Sequence, residues 1–228
     1  MAAEERRGAP PKTHLTPAAV AQEALSLADS AGLQAVTIRR LAKELGVTPM
    51  ALYWHFSSKD ELLGAVAARV VEEIDLSVDA SAAWYEQLRA LLRAVLGAMR
   101  THPAAAPLLA NRTVASESGL RLTETALDVL GQAGFDPAEA TQLARHALSS
   151  LANLVSGQPG VVTGEEPDGA ADARRRARLF LESLSPERYP RLIGAAAPLS
   201  EGVDTETYFS FGLDLLLSGI EAMAARKG

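Results

Sequence analysis

Arg39, Arg40, Tyr53, His55 and Lys59 lie within one short stretch of the chain, and their types suit contact with a polyanion. Two short helical patterns joined by Leu45-Gly46-Val47 match a helix-turn-helix, whose second helix enters the major groove of DNA while the first crosses the backbone. Ile38, Leu41, Ala42, Leu45, Val47 and Leu52 would fill the small core between the helices and leave the five polar side chains facing DNA. Glycine-centred helical hairpins also occur in enzymes and bundles, so the spacing alone leaves both readings open. Catalytic chemistry has less to stand on. Four histidines and 28 acidic residues form no HExxH, GxSxG, P-loop or GxGxxG arrangement. The absence of cysteine excludes disulfides, zinc-thiolate sites and cysteine nucleophiles.

The elements that must position these residues are helices. Alanine (43) and leucine (33) make up a third of the 228 residues and aromatics only 5%, which excludes an all-β sandwich or barrel. Thr16-Pro17, Thr37, Thr48-Pro49 and Ser58 with Glu61 each read as a cap opening a helix. Gly32 and Gly46 read as stops. Longer helices are expected over 83–101, 104–112, 117–133, 137–156, 170–184, 186–196 and 204–226, with a surface loop at 157–169. Trp54 and Phe56 read as core residues, Tyr53 as exposed, and Arg40 with Lys43 as a solvated face that touches phosphate occasionally.

The net charge of −6 at first argues against nucleic acid, but residues 1–60 carry seven basic against six acidic side chains, so a phosphate-facing surface must come from there. Arg6, Arg7 and Lys12 are diluted by Glu4 and Glu5, and residues 1–14 read as a flexible tail more than as a minor-groove arm. That segment has no apolar leader core, and no later stretch reaches about 18 uninterrupted apolar residues. A soluble cytoplasmic protein without membrane contact is expected.

The string Val36-Thr37-Ile38-Arg39-Arg40-Leu41-Ala42-Lys43-Glu44-Leu45-Gly46-Val47, followed by Ala51-Leu52-Tyr53-Trp54-His55-Phe56 and Lys59-Asp60-Glu61-Leu62-Leu63, closely resembles the DNA-binding domain of tetracycline-repressor (TetR) family regulators. The likeness runs from Thr16 to about Ile74. Trp84, Gly131-Gln132-Ala133-Gly134-Phe135 and Phe209 to Glu221 look like the regulatory domain of the tetracycline-repressor branch. The resemblance implies an all-α chain: a flexible arm (1–14), a three-helix DNA-binding domain (15–62) and a larger helical effector-binding and dimerisation domain (63–228), with 58–74 as the connecting helix. It implies a ligand-responsive regulator, a repressor rather than an enzyme, that holds a palindromic operator as a homodimer and is released by a small molecule. The alternative is a helical interaction module without specific DNA binding.

Carried over by position, Thr37 and Arg39 open the first helix of the motif, and the planar fork of Arg39 matches guanine O6 and N7. Thr48, Pro49, Met50 and Ala51 fall where recognition-helix residues meet bases, offering methyl contacts with thymine and shape selection. Tyr53, His55 and Lys59 match phosphate-contacting positions, with Arg40 beside them.

For the second domain, Phe209, Leu213, Leu216, Ile220 and Met223 form a heptad-like seam, flanked by a stripe of Tyr208, Gly212, Leu215, Gly219 and Ala222. Ala140, Ala144, Ala147, Leu148, Leu151 and Val155 give the 137–156 helix a similar surface. The resemblance implies a four-helix dimer interface built from Ala144, Leu148, Leu151, Phe209, Leu213, Leu216 and Ile220; an intramolecular core is the alternative. His102, Asn111, His146 and Asn153 are polar groups near apolar segments and are the candidates for an effector pocket. Leu109 falls where tetracycline-binding members place a metal-coordinating histidine, and leucine cannot coordinate magnesium. No cofactor or metal is expected, and the effector is left unidentified.

Overall fold

A computed structural model describes residues 15–158, 169–201 and 204–227 of the chain. The tail with Arg6, Arg7 and Lys12 and the 159–168 part of the expected loop lie outside those residues. Among the described residues there are twelve α-helices and no strand.

The first three helices follow their caps. The Thr16, Thr37 and Thr48 hydroxyl oxygens accept the backbone N–H of Ala19, Arg40 and Ala51 at 3.2, 3.2 and 3.3 Å, which satisfies donors that no earlier carbonyl can reach. They open α1 (Pro17–Ala31), α2 (Ile38–Glu44) and α3 (Pro49–Tyr53). The turn from α2 to α3 needs Gly46: its φ is +66°, a region that side chains rarely adopt, while Val47 N–H reaches back to Ala42 O at 2.9 Å. Ile38, Leu41, Ala42 and Leu52 meet Val20, Leu25 and Ala28 of α1 in one buried cluster.

Ser58 caps α4 (Lys59–Val71), accepting from Glu61 N–H at 3.1 Å. The return half of the expected capping box is displaced by one residue, because the Glu61 carboxylate accepts from the N–H and O–H of Ser57, both at 2.7 Å. Leu62, Val66 and Val70 are fully buried, since α4 packs on α1 on one side and on α5 (Trp84–Thr101), α6 (Ala106–Arg112) and α7 (Glu117–Gln132) on the other. The 62/63 boundary therefore falls inside a helix shared by both halves.

The body is completed by α8 (Pro137–Ser156), opened by a reciprocal Asp136/Glu139 cap, and by α12 (Thr205–Ala224). The two helices approach so closely at Gly212 that a Cβ there would lie 2.6 Å from Leu154 Cδ1. Between them, α9 (Ala170–Glu182), α10 (Pro190–Gly194) and α11 (Ala196–Ser200) pack on one another. The single helix expected over 186–196 is replaced by the latter two, because Pro190 has no N–H for a preceding turn and starts a new one.

Candidate nucleic-acid interface and ligand cavity

Period decides which side of α2 and α3 meets solvent. Leu52 and Phe56 are four apart and buried, so Trp54, about 200° round from Leu52, points away and is 85% exposed. The expectation that Trp54 is a core residue is thereby corrected; that for Phe56 holds. Met50 is 66% and Tyr53 52% exposed, Ala51 and His55 are half-buried, and Thr37, Arg39, Arg40, Thr48, Pro49 and Lys59 are exposed. Arg40 reaches Glu44 at 3.7 Å, a contact that takes up part of its charge. Arg39, Lys43 and Lys59 are exposed and have no ion-pair partner among the described residues, so three cations stand unneutralised on α2 and at the start of α4.

This head is fastened to the body at both ends of α4. The Arg112 guanidinium, at the end of α6, donates to Asp60 Oδ1 at 2.5 Å and to Asp60 O at 3.3 Å. The hydrogen bond from Arg112 holds the Asp60 carboxyl below the usual carboxylate range. Past the other end, His102 ahead of α6 lies with Nδ1 2.7 Å from Asp29 Oδ2 of α1 and Nε2 2.9 Å from Glu73 Oε2. Arg69 joins the same cluster through Glu73, Glu72 and Gln22. Burial alone would push the His102 pKa down; the hydrogen bonds and charges of Asp29 and Glu73 outweigh it and raise the value above 6.5. A raised histidine contributes stability that is fully present below about pH 6.5 and lost as pH rises through the folded-state pKa. The urea midpoint of the wild type should thus exceed that of His102→Gln at pH 6, and the gap should shrink by pH 9. A gap that widens toward pH 9 would show that the imidazolium does not bind the two halves together.

A cavity of about 420 Å³ opens beside α6. Leu88, Leu91, Leu92 and Val95 of α5 line one wall, Ala110, Asn111 and Val114 the edge near α6, and α7 and α8 the rest. Of the effector candidates, Asn111 lines this space. Leu109 is fully buried and outside the lining, His102 belongs to the joint, Asn153 is exposed on α8, and His146 lines an open groove between α8 and α12.

The residues expected in the dimer seam fall in different places in the single chain. Leu151, Phe209, Leu213 and Ile220 are at most 3% exposed in the single chain, inside its own core. Ala144, Leu148 and Ile220 line the cavity, while Leu216 is half-buried beside the outer groove. Phe209 is held inward beneath the Arg100 guanidinium, 4.4 Å from its ring centroid, and Arg100 is paired with Glu206. The apolar side chains left in solvent on α12 are Phe211 (69%), Leu215 (67%) and Met223 (42%), so the exposed face is the stripe through Leu215, Gly219 and Ala222.

Residues 21–66 match the family model described as bacterial regulatory proteins, tetR family, and residues 79–224 match that described as tetracyclin repressor-like, C-terminal domain. The tetracycline repressor protein class A from transposon 1721 of Escherichia coli is 30% identical over 211 residues, 91% of this chain and 91% of the relative. The HTH-type transcriptional repressor DrrR1 of Streptomyces coeruleorubidus is 29% identical over 224 residues, 95% of this chain and 81% of the relative. The crystal structure of ActR from Streptomyces coelicolor in complex with actinorhodin is similar at a TM-score of 0.77 and 25% identity, covering 95% of this chain and 99% of that one.

Proposed function

The chain belongs to the tetracycline-repressor family of bacterial regulatory proteins, and we propose from that premise that it represses transcription by holding a palindromic operator as a homodimer and lets go when a small molecule fills the cavity beside α6. The observation that carries this reading is α6 itself. It lines the cavity with Ala110 and Asn111, ends on Arg112, and through Arg112 grips Asp60 next to Lys59 at the start of α4.

A dimer meets two half-sites about 34–36 Å apart, so a small change in the separation of its heads prevents joint docking. A ligand that widens the space at Asn111 strains the Arg112–Asp60 contact and shifts the start of α4. Coupling of about 1–3 kcal/mol between cavity and operator is sufficient, and linkage requires that operator weaken the ligand equally. In the head, Arg39 reads a base edge, and Met50 and Ala51 lie against thymine methyls. Tyr53, His55 and Lys59 hold phosphates, as does Arg40 when it leaves Glu44. The relatives are named as regulators. Tetracycline with magnesium is disfavoured as the ligand, because among the described residues no His, Asp or Glu lines the cavity and, by the family resemblance, Leu109 falls where tetracycline-binding members place a metal-coordinating histidine.

Fluorescence anisotropy with the duplex upstream of the chain's own gene tests the DNA half of this reading. Wild-type binding should weaken with salt along a straight log-log line. Lys59→Ala should lower that slope by roughly one unit for each phosphate left without its cation, and should weaken specific and random duplexes alike. An unchanged slope would remove Lys59 from the phosphate contacts, and no salt-dependent binding at all would favour the interaction-module alternative.

A further inference from the structure

The cavity beside α6 is chemically two-sided. Its α5 wall is aliphatic, whereas α8 presents Thr141, Arg145 and Ser149, four residues apart and hence along one stripe of the helix. Thr141 and Thr123 have spent their hydroxyl protons on carbonyls of their own helices, donating to Pro137 O at 2.7 Å and Gly119 O at 2.9 Å. What they still offer is oxygen lone pairs, which accept. Asn111 likewise uses one Nδ2 proton on Pro107 O at 3.1 Å and keeps Oδ1 as an acceptor.

Among the described lining residues Arg145 is the charged one, and it has no hydrogen-bond or ion-pair partner among the described residues. Among the described residues no carboxylate shares the lining to balance it. A cationic ligand would be stripped of water among leucines beside a like charge, which is costly. An anion meets an unpaired guanidinium suited to two parallel hydrogen bonds.

Resting on the cavity as the effector site, we propose that its ligand is a largely hydrocarbon acid bearing hydrogen-bond donors, such as a hydroxylated aromatic or alicyclic carboxylate. The hydrocarbon edge lies on the α5 leucines, the acid on Arg145, and the hydroxyl donors on Thr123, Thr141 and Asn111 Oδ1.

Two fluorescent probes separate the acid from the hydrocarbon. 8-Anilinonaphthalene-1-sulfonate and N-phenyl-1-naphthylamine share one ring body and one N–H, and differ by the sulfonate. Titrated into the full chain, the two should compete, with the sulfonate binding the tighter. Arg145→Gln should weaken the sulfonate by about tenfold, the scale of one charge-assisted hydrogen bond, and leave the neutral probe unchanged. Arg145→Lys should restore part of the loss, and Ala126→Phe, which fills the cavity, should abolish both. Arg145 is exposed, so the Gln variant should fold normally, and unchanged circular dichroism checks this. Equal affinities of the two probes, a sulfonate affinity untouched by Arg145→Gln, or one that survives Ala126→Phe would each overturn the proposal. Operator anisotropy in the same samples separates it from the functional reading. A sulfonate that binds through Arg145 yet leaves operator affinity unchanged supports the ligand class and rejects release by occupancy of this cavity.

Discussion

Leu215→Glu should give a folded monomer that no longer grips its operator. Leu215 is 67% exposed in the single chain, and Phe211 and Met223 share its exposed face, so a carboxylate there costs the isolated subunit little. With this face set against its own copy across a twofold axis, each Glu would be desolvated without a partner cation. The face adjoins the groove between α8 and α12, where Leu216, Gly219 and His146 extend the surface. Sedimentation should report a 24.0 kDa species instead of one twice that mass. Operator affinity should fall by about 10²–10⁴, the gain that joining two binding heads supplies. Leu213→Glu is the contrast: Leu213 is 3% exposed, and a buried unpaired charge there should unfold the chain instead of splitting a dimer. A Leu215→Glu protein that sediments as a normal dimer would reject this face.

Arg39→Ala is expected to weaken the specific operator by about 1–3 kcal/mol, relax one symmetric base position and affect random duplex far less. Arg39 lies in the first turn of α2 behind the Thr37 cap, exposed and unpaired among the described residues, so its removal leaves the head intact. Arg40→Ala should do less, because Arg40 already spends charge on Glu44 at 3.7 Å. Equal losses on specific and random DNA would make Arg39 a phosphate contact and leave base reading to α3.

Much of the helical plan was legible because its signals are local. Thr16, Thr37, Thr48, Ser58 and Asp136 mark helix starts within three residues of the groups they bond, and Gly46 marks a turn by a backbone angle that side chains avoid. The helix-turn-helix combines such signals with a core of closely spaced residues, and the cations it leaves exposed follow from its period. Trp54 misled because an aromatic beside Leu52 and Phe56 reads as core by type, although its place on the helix turns it outward.

The second half shows where local reading stops. Helix α12 is apolar nearly all round, so periodicity supports several faces at once. Gly212 against Leu154, Arg100 over Phe209 and Arg89 bonded to Asp214 at 2.8 Å choose the buried one, and each reaches far along the chain. Cavity and core have the same lining: Leu91 and Leu148 look alike in sequence whether the space before them is filled or empty. The joints Arg112–Asp60 and His102–Asp29 pair residues 52 and 73 apart. The helices and the reading head follow from local signals, because caps, turns and 3.6-residue periods act over a few residues. Tertiary structure decided the cavity, the joints and the free face of α12, because each depends on which apolar surfaces meet when distant helices pack.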